Sequence, residues 1–174
     1  NIPASKNFSI EEKKKIALIN IFSNAIGHKG MLAGQFLDLE AEKLSKKPTI
    51  KKFNNIQEKK TGLLLAFCCY AGGFIGYASK KELEVLYEFD LMLGRIFQIT
   101  DDILDKEGNQ KLLGKKVNKD DEQNKATLIK IKGLDFTKNE LSKFSQQAKN
   151  KLLLLNKDTK VLSYVIDYLC SRTS

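Results

Sequence analysis

The chain of 174 residues is long enough to bury one hydrophobic core and predicts a single domain, 1–174, rather than several. Its net charge of +9 comes almost entirely from lysine, because Arg95 and Arg172 are the only arginines, and the basic residues are not interleaved with aromatic ones. This composition argues against nucleic-acid recognition and predicts solvated helix faces instead.

The sequence pattern predicts an all-α fold. The two prolines fall where loops are expected, and no useful length of chain shows the strict alternation of a half-buried strand. The uncharged stretch 62–78 falls just short of the roughly 18 apolar residues that suggest a membrane span, so it is predicted to be a buried core helix. Cys68, Cys69 and Cys170 do not make a disulfide framework and indicate a reduced, intracellular compartment.

Two helices are predicted in the first part of the chain. The first runs from about residue 9 to 27, since Ser9 and Glu12 form a capping box before a run of apolar residues at helical spacing. The second runs from residue 28 to about 46 and contains Gly34, where a neighbouring backbone or ligand can come close. Its Gln35 and Asp38 share one face at an i, i+3 spacing.

A third helical stretch is expected to begin after Thr49, a favourable N-cap residue, and to end near Tyr77. Gly62 lowers helix propensity inside this stretch. A kink at that point would turn Lys60 and Thr61 inward.

A long fourth helix is predicted to start at the capping box of Ser79 and Glu82 and to end in an acidic cluster. Three- and four-residue spacing places four oxygen-bearing side chains in one sector of this helix: Gln98, Asp101, Asp102 and Asp105. Oxygen ligands without a nearby His or Cys favour a hard cation, and Mg²⁺ usually takes one or two carboxylates while phosphates and water complete its shell. The cluster therefore predicts a magnesium site shared with a diphosphate.

The alternative interpretation of this cluster is a solvated acidic patch, which is the commoner fate of a charge run. Apolar residues cover most of the remaining circumference of the helix, as is typical of a helix buried nearly all round. Acidic residues at its end therefore call for a function. Gly94, Leu91 and Tyr87 continue the same side of the helix, so this wall would suit a ligand with a charged head and an apolar tail.

The segment 106–119 has little periodicity and is predicted to be a loop, from which Lys115 could fold back over the acidic cluster. Helices are then expected over about 120–132, 137–155 and 158–171. Thr127 is expected to be a helix residue rather than a ligand.

Five short motifs occur in order along nearly the whole chain: Gly34-Gln35-Phe36-Leu37-Asp38-Leu39, Lys60-Thr61-Gly62, Phe97-Gln98 with Asp101-Asp102-Ile103-Leu104-Asp105, Gly114-Lys115, and Asn124-Lys125-Ala126-Thr127. With this spacing the chain resembles the later portion of the trans-prenyl diphosphate synthases, the family that includes farnesyl and geranylgeranyl diphosphate synthases. The resemblance implies part of an isoprenoid synthase helical bundle around a central cavity, in a cytoplasmic homodimer. It also implies condensation of an allylic diphosphate with isopentenyl diphosphate into a short-chain prenyl diphosphate.

The resemblance further implies a role for each matching residue. The residues expected to hold Mg²⁺ against the allylic diphosphate are Asp101, Asp102 and Asp105. Those expected to neutralise the leaving diphosphate are Lys60, Lys115 and Lys125. Those expected to place oxygens beside the allylic carbocation are Thr61, Gln98 and the Lys60 carbonyl. Those expected to support the pocket from the preceding helix are Gln35 and Asp38.

A complete member of that family carries an earlier aspartate-rich motif and nearby basic residues for isopentenyl diphosphate, and residues 1–174 supply neither. We therefore expect the chain to be the C-terminal portion of a longer enzyme, to supply half of the site, and to be inactive without the missing N-terminal half. The absent motif also motivates an alternative, a non-catalytic or regulatory helical subunit of a prenyl synthase. Nucleic-acid binding by the basic surface is a third and weaker hypothesis.

Overall fold

The computed structural model describes residues 10–43, 48–107 and 127–172, and within these ranges the chain is helical without any strand. Its α-helices are α1 (Glu12–Ile26), α2 (Met31–Lys43), α3 (Ile50–Gln57), α4 (Leu63–Ile75), α5 (Lys80–Glu107), α6 (Leu128–Lys132), α7 (Leu134–Leu152) and α8 (Lys160–Ser171). A π-helical turn, Glu58–Gly62, joins α3 to α4, and a 3₁₀ turn, Leu153–Leu155, follows α7. The all-α prediction is confirmed.

Helix α5 is the central helix, with α4 and α7 packed along it and with α8 and the π turn also in contact. Phe89 and Ile96 on α5 have no solvent exposure. The main core cluster joins α5 to α7, the 3₁₀ turn and α8, and its buried members are Val85, Phe89, Leu93, Ile96, Ala148, Leu152, Leu155, Ile166 and Leu169. Full burial of one large apolar side chain stabilises the fold by about 1.5–3 kcal/mol, so this cluster accounts for the position of α5.

Most predicted helix boundaries agree with the structure to within a few residues. Helix α1 begins at Glu12 rather than near residue 9, and its proposed cap, Ser9, lies outside the described residues. The hydroxyl of Thr49 accepts a hydrogen bond from the α3 backbone (3.3 Å), as predicted for an N-cap. Ser79 and Glu82 exchange two hydrogen bonds, so the predicted capping box of α5 is confirmed.

The predicted interruption near Gly62 is the π turn. There the backbone N–H of Leu63 bonds to the carbonyl of Glu58, five residues earlier, instead of four. The extra residue rotates the following side chains around the helix axis, and single π turns of this kind are frequent at functional sites.

Two glycines bring neighbouring backbones directly against this π turn. A Cβ atom added to Gly34 on α2 would lie 2.2 Å from the backbone nitrogen of Lys60. A Cβ added to Gly94 on α5 would lie 2.9 Å from the Cα of Gly62. Because no side chain fits at either place, α2 and α5 hold the turn between them.

Gly34→Ala tests this close approach. The added methyl group would overlap the backbone of the π turn, and overpacking of this kind costs about 1–3 kcal/mol. We expect the free energy of unfolding, measured by chemical denaturation, to fall by that amount. Gly72→Ala is the matched control, because it makes the same change in α4 where a Cβ would meet nothing within 4 Å. The control should leave stability unchanged or raise it by up to about 1 kcal/mol, and equal effects of the two variants would contradict the contact.

A buried carboxylate joins α4 to α5. Asp90 is 2% exposed and accepts hydrogen bonds from the backbone N–H and from Sγ of Cys69, both at 3.0 Å. Burial raises the pKa of Asp90 above its usual range, and the two Cys69 hydrogen bonds only partly offset this effect on the pKa. Burial also raises the pKa of the Cys69 thiol, so Sγ keeps the proton that it donates. All three cysteines are free, as predicted.

Asp90 is expected to make stability depend on pH. The pKa of Asp90 is higher in the folded than in the unfolded state. The stability that Asp90 contributes is therefore greatest below its unfolded pKa and is lost as the pH rises through its folded pKa. Asp90→Asn should remove this loss. The free energy of unfolding in urea of the variant, relative to that of the wild type, should therefore increase as the pH rises from acidic to neutral. The control is Asp167→Asn, since Asp167 is 58% exposed and pairs with Lys149 at the surface. Parallel pH profiles for Asp90→Asn and the wild type would contradict the prediction.

Candidate active site

Adjacent aspartates at the end of α5 have different partners. Oδ1 of Asp101 lies 2.6 Å from Nη2 of Arg172, which follows α8. The Arg172 side chain is 16% exposed, and its guanidinium lies over the Phe97 ring, 5.0 Å from the ring centroid. The Asp101 side chain is 38% exposed, so water screens the ion pair and its contribution to stability is about 1 kcal/mol or less. Arg172 thus supplies Asp101 with a nearby positive charge.

Asp102 turns into the bundle. It is 4% exposed, and its Oδ2 accepts a hydrogen bond from the backbone N–H of Leu128 at the start of α6 (3.1 Å). Its Oδ1 accepts a hydrogen bond from Nε2 of Gln98, one turn earlier on α5 (3.2 Å). The second aspartate of the cluster therefore connects α5 to α6 and holds the Gln98 side chain.

Asp105, one turn beyond Asp101, is half-buried. Within the described ranges, no three His, Cys, Asp or Glu side chains lie close enough together to hold a metal ion. Asp101 and Asp105 nevertheless share a face of α5 at an i, i+4 spacing and offer carboxylate oxygens. This donor set fits Mg²⁺, which takes one or two protein carboxylates where phosphates and water supply its other ligands.

The π turn places a lysine against a buried carboxylate. Nζ of Lys60 lies 2.5 Å from Oδ2 of Asp38 on α2. Asp38 is 6% exposed, whereas the Lys60 side chain is 27% exposed, so a fixed carboxylate orients an ammonium group that solvent still reaches. Gln35, the other residue predicted to support the pocket, is exposed on α2.

The packing of glycine on glycine brings the π turn against the middle of α5, two turns before the aspartates. Thr61 is half-buried and directly precedes Gly62, which touches Gly94. Gln98 lies one helical turn beyond Gly94, so the motif that starts at Lys60 adjoins the stretch of α5 that leads to the aspartates. The two remaining predicted diphosphate ligands, Lys115 and Lys125, lie outside the described residues.

A mainly apolar cavity of about 330 Å³ opens between α1, α4 and α5. Its lining residues are Ile21, Asn24, Ala25, Lys29, Leu63, Phe67 and Tyr87. Tyr87 is one of the residues predicted to face an apolar tail, and it lies three turns before Gln98 along α5. Gly94, also predicted to do so, packs against Gly62 instead.

Sequence reasoning missed two partners of the acidic cluster. Arg172 lies 71 positions from Asp101, and its rarity as one of two arginines was the only sequence signal for it. The backbone N–H of Leu128 has no sequence signature of its own. Thr127, predicted to be a helix residue, is instead the N-cap that precedes α6, and its hydroxyl accepts a hydrogen bond from Lys130 N (3.2 Å), which offered an indirect signal.

Comparison with known proteins is consistent with this geometry. The family model described as polyprenyl synthetase matches residues 4–168. The chain belongs to the polyprenyl synthetase family. Farnesyl diphosphate synthase of Bacillus subtilis is 33% identical to this polyprenyl synthetase chain over 163 residues, which are 94% of this chain and 54% of that protein.

Solved structures of the polyprenyl synthetase type share the fold. An apo FPP/GFPP synthase from Zymomonas mobilis aligns with a TM-score of 0.78 at 27% identity, covering 91% of this chain and 52% of that one. A geranyltransferase from Helicobacter pylori, complexed with magnesium and isoprenyl diphosphate, aligns with a TM-score of 0.77 at 26% identity, covering 94% of this chain and 53% of that one. The chain therefore spans about half the length of the relatives it matches.

Proposed function

We propose that the protein to which this chain belongs is a prenyltransferase that condenses an allylic diphosphate with isopentenyl diphosphate to make a short-chain prenyl diphosphate, and that this chain supplies half of the site. The observation that supports the proposal is the contact of Gly62 with Gly94, because Gly62 directly follows the Lys60–Thr61 motif and Gly94 lies one turn before Gln98 on α5. The names of the relatives, which are those of synthases, support a catalytic role over the non-catalytic alternative.

The reaction begins with heterolysis of the allylic carbon–oxygen bond, which creates an allylic cation and a highly charged diphosphate. Asp101 and Asp105, two of the three predicted ligands, would hold Mg²⁺, which when bound supplies positive charge to the leaving group. Lys60, already oriented by Asp38, presents an ammonium to the same diphosphate. Lys115 and Lys125 complete this set in our proposal. Preorganised charge of this kind commonly contributes more to catalysis than any other single effect.

The organic part of the substrate requires a different environment. Oxygen dipoles from Thr61, Gln98 and the Lys60 carbonyl would face the cation, which an apolar site protects from water. The cavity lined by Leu63, Phe67 and Tyr87 is a candidate for the tail of the product, because it is mainly apolar and lies along α5 from the acidic end. Gln35 is assigned a supporting role on α2.

Asp101→Asn in the full-length protein tests the metal assignment. The substitution removes a carboxylate charge at nearly constant shape, so turnover should fall on the order of 10²-fold or more and the Mg²⁺ concentration for half-maximal rate should rise. The free energy of unfolding should fall by about 1 kcal/mol or less, because the partly exposed pair with Arg172 is lost. Asp167→Asn is the matched control at the surface and should change neither kinetic quantity. Unchanged turnover across a Mg²⁺ titration of Asp101→Asn would contradict the assignment.

A homodimer is the assembly that we propose for the full-length protein. Helices α1 and α2 each carry a stripe of exposed large apolar residues at helical spacing, and these residues are Ile16, Ile19, Phe22, Leu32, Phe36 and Leu39. Such stripes are typical of surfaces that another chain or segment covers. In the part of the chain that the structure describes, no helix is long and apolar enough to cross a membrane, and we propose a cytoplasmic location.

Phe36→Lys in the full-length protein tests the dimer. Phe36 is 62% exposed, so a lysine there would not disturb the core but would place a charge in the proposed interface. Light scattering coupled to size-exclusion chromatography should give a dimer for the wild type and a shift towards monomer for the variant. Val161→Lys is the control, because Val161 is 76% exposed on α8, away from α1 and α2. A dimeric variant, or a monomeric wild type, would refute this interface.

A further inference from the structure

Asp102 is the aspartate of the cluster that the chain itself encloses. It is 4% exposed, whereas Asp101 and Asp105 are half-buried. One of its oxygens accepts from the Leu128 backbone and the other from Gln98. A cation that took these oxygens would have to displace two donors and leave them unsatisfied in a buried place, which is energetically unfavourable. This environment suits a carboxylate that positions other groups.

The Asp102 carboxylate also decides which end of the Gln98 amide is free. In its hydrogen bonds with Leu128 and Gln98, Asp102 supplies a carboxylate oxygen as the acceptor, and an amide can donate only from its nitrogen. The partner of Asp102 must therefore be the Gln98 Nε2 group, which lies 3.2 Å from Oδ1. The Oε1 atom is then left at the opposite end of the amide, so the orientation follows from the chemistry of the pair.

We infer that Asp102 is a positioning residue that sets the polarity of Gln98, and that Asp101 and Asp105 carry the metal. The inference rests on the proposed function, in which Gln98 offers an oxygen to the allylic cation. A reversed amide would instead present the positive end of its dipole to that cation and raise the barrier to ionisation. Asp102 would thus act on the chemical step through Gln98, without touching the substrate.

The second contact of Asp102 explains how this arrangement is kept rigid. The Leu128 N–H at the start of α6 has no intrahelical acceptor, and Asp102 Oδ2 supplies one at 3.1 Å. Leu128 is itself buried and packs with Phe53 and Ile99. The carboxylate is therefore held by a core element of the bundle, which leaves it little freedom to swing towards Asp105.

Asp102→Asn in the full-length protein is the test, with dimethylallyl diphosphate and isopentenyl diphosphate as substrates. Asparagine can still accept from Leu128 with its oxygen, but its nitrogen then faces Gln98 and favours the reversed amide. We expect kcat to fall on the order of 10²-fold with KM for the allylic diphosphate little changed. The Mg²⁺ concentration for half-maximal rate should stay within about twofold of the wild type, since no ligand is lost. Asp101→Asn should raise that concentration.

A compensating substitution separates positioning from a merely structural role. In the double variant Asp102→Asn with Gln98→Glu, a carboxylate at position 98 accepts from the new amide and keeps a free oxygen. The double variant should recover most of the kcat lost in Asp102→Asn, whereas Gln98→Glu alone should be impaired because two carboxylates then meet. The two single variants and the double variant form a double-mutant cycle, which measures the coupling of the two side chains directly.

Amide hydrogen exchange over residues 127–132 reports the Leu128 contact independently of activity. Exchange should match the wild type in Asp102→Asn and become faster in Asp102→Ala, which has no acceptor. The inference is overturned if Asp102→Asn shifts the Mg²⁺ requirement as Asp101→Asn does, if it leaves kcat unchanged, or if the double variant recovers nothing. A full-length wild type without Mg²⁺-dependent prenyl transfer would instead refute the proposed function, so the two failures are distinguishable.

Discussion

The close approach of three backbones around the π turn is the constraint on which the candidate site depends. Gly34 admits the backbone of Lys60, and Gly94 admits that of Gly62, so α2 and α5 contact opposite parts of one turn without intervening side chains. A Cβ added to Gly34 would lie 2.2 Å from the backbone nitrogen of Lys60, so even alanine would push α2 away by on the order of an ångström. Positioning groups for catalysis is sensitive to displacements of that size. The glycines therefore matter here because they let the turn that carries Lys60 and Thr61 contact α2 and α5 directly.

Three aspartates in the described part of the bundle are buried, and each accepts hydrogen bonds from different donors. Asp90 accepts hydrogen bonds from Cys69 and links α4 to α5, and its burial raises its pKa. Asp38 orients the Lys60 ammonium, and Asp102 links α5 to α6. Buried polar groups are tolerated where they are hydrogen-bonded, and in return they fix the relative positions of the helices that carry them.

Much of the fold could be predicted from the sequence, because helix signals are local. The Thr49 cap, the Ser79–Glu82 capping box and the break near Gly62 are read from a few neighbouring residues, and the structure confirms all three. The break could not be identified as a π turn from the sequence, since that depends on how α2 and α5 press on it. The apolar spacing of α1 was equally visible, but whether its stripe is buried or exposed depends on what packs beside it.

The sequence by itself determined that the chain is helical, that α5 ends in aspartates at helical spacing, and that the family motifs occur in order. Only the tertiary structure decided which groups Asp101 and Asp102 contact. Asp101 and Asp102 are adjacent in the chain and alike in chemistry, yet about 100° of helical rotation separates their side chains. One consequently meets Arg172 from the far end of the chain, and the other meets Gln98 and the start of α6. Their partners come from distant residues, and helical periodicity alone does not specify which distant residue will pack there.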